Sequence, residues 1–191
     1  MSGSISKVYL RRGSTGKLVE ALLYDSILPK HLDDHENDWQ SHIPRKEEHS
    51  HWDWRSKHSS IASELRFQSF ALECEGATQG LMIVNTIKRC RISSQANKHL
   101  VYVEYLEAAP WNRSQVEVPR FRGVGTVMIA AAIHLSIEED NDGRIGLHSL
   151  PQADTFYRTK CGMTDLGPDA SYVSQLRYFE MTEAQAASFI A

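Results

Sequence analysis

The chain has 191 residues, 41% of them apolar and 24% charged, with a formal charge of −3; that length holds one domain with a substantial core and is short for two. A sequence pI near 6.3 argues against the clustered basic surface that nucleic acid requires. No apolar run approaches the roughly 18 residues of a membrane helix, and residues 1–6 carry no apolar leader region, so a cytoplasmic protein is expected.

Residues 6–10 (SKVYL) form the first strand candidate, closed by Arg11, Arg12 and Gly13. Leu18, Val19, Leu22, Leu23 and Ile27 then recur at helical spacing up to Leu28, before Pro29, and predict a helix. Residues 30–60 are charged and rich in histidine and tryptophan, with the apolar anchors Leu32, Trp39, Ile43, Trp52 and Trp54; short helices and loops are expected there. Strands follow at 67–73 and 80–87, the second continuously apolar from Leu81 to Val84 as in a strand buried on both faces. After a polar connector at 88–98, HLVYVEYLEA at 99–108 is another β-rich run. Gly123 leads into a long apolar helix at 126–139, buried along most of its length. Gly143 stops it, 144–150 returns as a strand, and Pro151 starts a helix that ends by Gly162. Strands near 163–166 and 175–181, and a terminal helix capped by Thr182, complete the order. The pattern predicts a mixed α/β (α+β) architecture, one sheet flanked by helices, spanning 1–191 as a single domain. Cys74, Cys90 and Cys161 are odd in number and widely spaced, which fits neither a disulfide framework nor a zinc site and suits a reducing compartment.

The chemically informative stretch is Arg120-Phe121-Arg122-Gly123-Val124-Gly125-Thr126. Its glycines let successive N–H groups turn into one concavity, and the helix start adds unsatisfied donors with a partial positive charge. Such a place suits a phosphate or pyrophosphate, with Arg120 and Arg122 adding charge-assisted contacts. The plain alternative is a capped core helix. No Gly-Lys-Ser/Thr follows, which excludes a P-loop, and a third glycine for a dinucleotide fingerprint is missing.

These residues resemble the GNAT superfamily, whose signature Arg/Gln-x-x-Gly-x-Gly/Ala is met by Arg120, Gly123 and Gly125. A second likeness lies downstream in Ala153-x-x-Phe156-Tyr157 and Cys161-Gly162-Met163, with the 145–150 strand between the two. The resemblance implies a mostly antiparallel mixed sheet and a loop wrapping the pyrophosphate of acetyl-CoA or another acyl-CoA, with Val124 and Thr126 among its donors. It further implies a backbone N–H around Leu106, Glu107 and Ala108 that polarises the thioester carbonyl, and Tyr157 as the acid that protonates the departing CoA thiolate. Homodimers are frequent in the family. The sequence departs from the pattern in three places. Four residues separate Tyr157 from Gly162 where the family has three, and one added residue turns a helix by about 100°. Leu150 stands where the family often has a CoA-binding asparagine, with Ser149 beside it as the substitute contact. The connection at 110–119 is long, so Trp111, Asn112 and Arg113 are candidates for a substrate wall.

Direct acyl transfer needs an amine that has lost its proton, donors for the oxyanion and an acid for the thiolate. Glu104 and Glu107 are the base candidates, with water-mediated deprotonation as the alternative; three positions apart, they point to opposite faces of a regular strand unless a bulge intervenes. Tyr157 also has a plain reading as a packed aromatic, His148 and His134 as satisfied histidines, and Cys161 as a small buried residue. His31, His35, His42, His49, His51 and His58, mixed with Asp33, Asp34, Glu36 and Asp53, lack the convergent spacing of a metal site. A solvated charged face that attracts a cationic acceptor is expected there, with Trp39, Trp52 and Trp54 as anchors. The function expected is N-acyl transfer from acetyl-CoA to an amine acceptor without a metal. The alternatives are a non-catalytic acyl-CoA-binding or regulatory module and a protein-interaction domain with a degenerate cofactor site.

Overall fold

A computed structural model describes residues 4–43, 51–113 and 116–191. Among the described residues nine strands form one sheet in the order β6-β1-β2-β3-β4-β5-β7-β9-β8. They are β1 (Ile5–Arg12), β2 (Leu18–Tyr24), β3 (Phe67–Cys74), β4 (Ala77–Arg89), β5 (His99–Ala108), β6 (Phe121–Arg122), β7 (Ile145–Ser149), β8 (Thr164–Pro168) and β9 (Arg177–Met181). The sheet is mostly antiparallel, with β5 and β7 running parallel. The α-helices that flank it among the described residues are α1 (Pro29–Asp34), α2 (Trp54–Ile61), α3 (Val124–Glu138) and α4 (Glu183–Ile190). No described helix is long and apolar enough to cross a membrane.

The helix expected over 18–28 is instead the strand β2. Its Leu18 to Tyr24 pair with β1 residue by residue, from Arg11↔Leu18 to Ile5↔Tyr24, and Leu22 to Tyr24 pair onward with β3. A run of leucines satisfies a helical template and a strand equally. The turn at 13–17, with Arg12 N–H donating to Lys17 O at 2.8 Å, brings the antiparallel partner close and decides for the strand. The remaining expected elements appear with boundaries moved by a few residues, and Thr182 caps α4 in a capping box with Gln185.

Contacts group the described residues into two compact units, 1–83 with 105–128 and 84–104 with 129–191. In the first, Ile27, Leu32, Trp39, Ile43 and Trp54 pack on Ala71, Leu81, Ile83 and Ala109. Trp39 and Trp54 are buried to 0% and 1% exposure, the anchoring role expected of them. His31 and His35 are equally enclosed, at 0% and 1%. The solvated face expected for this segment therefore fails at these two residues, because α1 and the π-wound turn His35–Trp39 aim both rings inward. His49 lies outside the described residues.

The second unit is organised around a buried anion. Glu180 has no exposed surface, and its carboxylate accepts from the Arg91 and Ile92 amides at 2.7 and 3.0 Å, Gln95 Nε2 at 2.9 Å and Tyr178 Oη at 2.9 Å. Four donors replace the water that the charge has lost.

The crossing of Gly13 with Pro119 fixes the approach to β6. Gly13 N–H donates to Arg120 O at 3.1 Å, and a Cβ on Gly13 would stand 1.6 Å from Pro119 O. Gly13→Ala must move backbone to be accommodated, and thermal unfolding should show a loss of about 1–3 kcal/mol.

Candidate active site

The sequence 120–126 folds into the expected turn and helix start, preceded by a short strand that the sequence pattern does not predict. Phe121 and Arg122 pair with Arg12 and Arg11 on β1, and α3 begins at Val124. Gly123 joins them with φ at 97°, a backbone state that costs other residues about 1–3 kcal/mol. Space is not what demands glycine here, since a Cβ would meet only Leu10 Cδ2, at 3.8 Å.

Helix geometry leaves the first amides of α3 without partners. The ladder opens with Val127 N–H donating to Gly123 O at 2.9 Å, and among the described residues none of the amides from Gly123 to Thr126 donates to a carbonyl. Arg122, Gly123 and Thr126 are exposed and Gly125 is half-buried, while Val124 turns into the core. Free N–H groups, an exposed guanidinium and the positive end of a 15-residue helix therefore share one mouth. That arrangement accepts a phosphate or diphosphate. Arg120 leans towards Glu75, 3.9 Å away, which Arg12 also contacts; this cluster is exposed and contributes little stability.

A residue that sequence reasoning left out positions this mouth. Gln79 on β4 is fully buried. Its Oε1 accepts from Trp111 Nε1 at 3.0 Å and Asn112 Nδ2 at 2.8 Å, and its Nε2 donates to Ala77 O at 3.0 Å and Cys74 O at 3.4 Å. Its backbone oxygen accepts from Ala109 N–H at 2.9 Å. Asn112 Oδ1 then accepts from Phe121 N–H at 2.8 Å, and Trp111 O from Arg120 N–H at 3.1 Å. Trp111 and Asn112 thus act as struts between β4 and the mouth of α3. The signal in the sequence was a glutamine flanking an apolar run.

Glu107, near the end of β5, is 4% exposed. Trp54 Nε1 donates to its Oε2 at 2.6 Å and Arg113 Nη2 to its Oε1 at 2.9 Å. His35 Nε2 lies 3.5 Å from Oε2 and is buried without a hydrogen-bond partner. A carboxylate so engaged at both oxygens is fixed in place. Leu106 and Ala108 are half-buried beside it. On the same side, Trp52, Trp54 and Tyr105 form an edge-to-face aromatic group with centroids 5.3 to 6.5 Å apart.

Glu104, Ser149 and Tyr157 belong to the second unit. Glu104 is half-buried and accepts from Asn85 Nδ2 at 3.3 Å. Ser149 is buried, and its hydroxyl donates to Leu150 O at 2.9 Å. Tyr157 is 7% exposed and packs against Phe156 and Phe179; burial raises its phenol well above the usual range. The added residue after Tyr157 has a definite place. Phe156–Lys160 is wound as a π-turn, closed by Cys161 N–H donating to Phe156 O at 3.0 Å. One extra residue in a wider turn leaves the flanking helix aim intact. Burial pushes the Cys161 thiol up to about 12, so no thiolate is present at neutral pH.

His148, on β7, is satisfied at both nitrogens. Asp169 Oδ2 lies 2.9 Å from Nε2 and Tyr102 Oη 2.6 Å from Nδ1, with Tyr172 stacked on the ring at 3.7 Å. An acceptor-only carboxylate makes Nε2 the donor and leaves Nδ1 to accept from Tyr102. Burial holds His148 below its ordinary pKa and raises Tyr102, while the Arg91 guanidinium holds Asp169 low. Among the described residues no group of three or more His, Cys, Asp or Glu side chains is disposed to hold a metal ion.

No protein-family model matches the chain, and no curated protein matches it by sequence. Its fold is nevertheless found among solved structures. A putative arylalkylamine N-acetyltransferase 7 from the yellow fever mosquito is 13% identical, with 96% of each chain covered and a TM-score of 0.57. Mycobacterium smegmatis RimJ, in complex with CoA-disulfide, is 14% identical over 100% of this chain and 96% of its own, at 0.54. The GNAT domain of S. lividans PAT is 12% identical over 93% and 96%, at 0.56. The chain therefore has the GNAT fold, and at these identities the likeness is one of fold.

The Gln79 hub can be tested without any ligand. Gln79→Leu leaves the Trp111 and Asn112 donors unanswered in a closed site, and urea unfolding should show a loss of about 2–4 kcal/mol.

Proposed function

We propose that the chain is an N-acyltransferase that binds acetyl-CoA or a related acyl-CoA and transfers the acyl group to an amine by direct attack. The observation that carries this reading is the mouth of α3, where the amides of residues 123–126 donate to no carbonyl beside the exposed Arg122. The pyrophosphate of CoA is the polyanion that this reading assigns to it, held by charge-assisted hydrogen bonds. That CoA-disulfide is bound to RimJ, which shares the fold, supports the choice of CoA among diphosphates.

In this reading the end of β5, Leu106 to Ala108, supplies the N–H that polarises the thioester carbonyl. Ser149 contributes a polar contact to the cofactor. Tyr157, protonated at neutral pH like any phenol, gives its proton to the CoA thiolate as the C–S bond breaks, against the upward pull of burial on its pKa. The amine loses its proton through Glu104 by way of water. Glu107 already accepts from Trp54 and Arg113 and serves better as a fixed negative charge that draws a cationic acceptor.

Acetyl-CoA should raise the melting temperature of the purified protein in a concentration-dependent manner, since a ligand of the native state alone stabilises it. Gly123→Ala strains the turn and should weaken acetyl-CoA affinity about tenfold in calorimetry. An unchanged melting temperature at saturating acetyl-CoA would remove the reading. Tyr157→Phe keeps the ring packing and should lower kcat about 100-fold, with acetyl-CoA affinity unchanged. Turnover insensitive to this substitution would assign Tyr157 to packing alone, and binding without turnover of any amine would leave an acyl-CoA-binding module.

A further inference from the structure

Two ordered lysines end on carboxylates: Lys7 meets Glu20 at 3.2 Å, and Lys30 meets Asp34 at 2.8 Å and Glu73 at 3.3 Å. Lys57, on α2, ends on aromatic faces. Its Nζ lies 3.6 Å from the ring centroid of Tyr105 and 5.1 Å from that of Trp52. Ring faces hold the ammonium form by cation–π attraction and, unlike a carboxylate, have no oxygen to share its proton. Burial pulls the Lys57 pKa down, and the charges of Glu107 and Asp53 oppose that shift only in part. More of this side chain is therefore free amine at neutral pH than in a solvated lysine.

Position completes the argument. Tyr105 immediately precedes Leu106, the start of the segment assigned above to the thioester carbonyl, so the amine is held beside the place where an acyl carbon is expected. We propose that Lys57 is an acyl acceptor within the chain itself. Its neutral Nζ attacks the carbonyl carbon of bound acetyl-CoA and forms the amide C–N bond as the C–S bond breaks. The proton lost from nitrogen passes to water, and the thiolate leaves and is protonated to CoA–SH. The inference rests on the acyl-CoA reading of the α3 mouth. Its consequence is a change of charge: acetylated Lys57 no longer offers a cation to Asp53 and Glu107, so their negative charge faces an incoming amine less screened.

The test incubates the full chain with acetyl-CoA and follows acetylation by peptide mass spectrometry. One acetyl group should appear on Lys57 at a first-order rate that dilution of the protein leaves unchanged. Lys57→Arg should abolish it, and Trp52→Leu should slow it about tenfold by releasing the amine from its alignment. Equal labelling of exposed lysines such as Lys17 and Lys98, or a rate that rises with protein concentration, would overturn the proposal. So would an unmodified Lys57 in protein whose melting temperature acetyl-CoA raises, and that result would spare the acyl-CoA reading. Loss of both the label and the thermal shift would remove the two together.

Discussion

Gln79 is fully enclosed on β4, and each polar atom of an amide in such a place must find a partner inside the protein or lose about 1–3 kcal/mol. Its Nε2 finds them in Ala77 and Cys74, and its Oε1 and backbone oxygen in the chain that leaves β5, through Trp111, Asn112 and the Ala109 amide. Asn112 and Trp111 then hold the backbone of Phe121 and Arg120. The direction of dependence matters. The amides at the start of α3 can stay free because the segment before them is pinned from the side of the sheet, so the mouth does not have to close on itself to be stable. A site made of backbone donors has no side chain to swing into place, and its precision is that of the scaffold behind it.

The two units handle buried charge differently. Glu180 gathers two backbone amides, a glutamine and a tyrosine hydroxyl, and no acceptor position is left for chemistry. Glu107 is nearly as enclosed, yet it sits beside a histidine nitrogen that lacks a hydrogen-bond partner and within electrostatic reach of a lysine that rests on ring faces. Saturated polar networks specify a fold, and incompletely saturated ones cluster where binding or catalysis takes place. By that criterion both the Glu107–His35 surroundings in the first unit and Asp154, three residues before Tyr157 and carrying a buried unpartnered oxygen in the second, are where chemistry is to be sought.

Much of this was legible in the sequence, and the limits have physical causes. The apolar run at 99–108 and the glycine-punctuated entry to α3 are local signals, and both elements formed where they were expected. The helical reading of Leu18 to Leu23 fails because a leucine-rich segment takes its conformation from its neighbours, and the turn at 13–17 lays the partner strand β1 beside it. The sequence places His31 and His35 in solvent because composition records polarity and not direction; α1 aims His31 inward and the π-wound turn aims His35. Gln79 stood one residue outside the expected strand, and only its enclosure reveals what it holds. The roles of Lys57 and Tyr102 depend on pairings that no sequence spacing encodes.

The π-turn at Phe156–Lys160 bears on how this architecture tolerates change in chain length. A residue inserted into an α-helix swings everything beyond it around the axis, unless the surplus is taken up as a local widening. Here the widening begins one residue before Tyr157, and the ladder is repaired by the longer bond from Cys161 to Phe156. Insertions at this point are thus nearly silent in three dimensions while conspicuous in an alignment. Relatives of this fold that differ in spacing between the aromatic residue and the following glycine need not differ in where that aromatic ring resides.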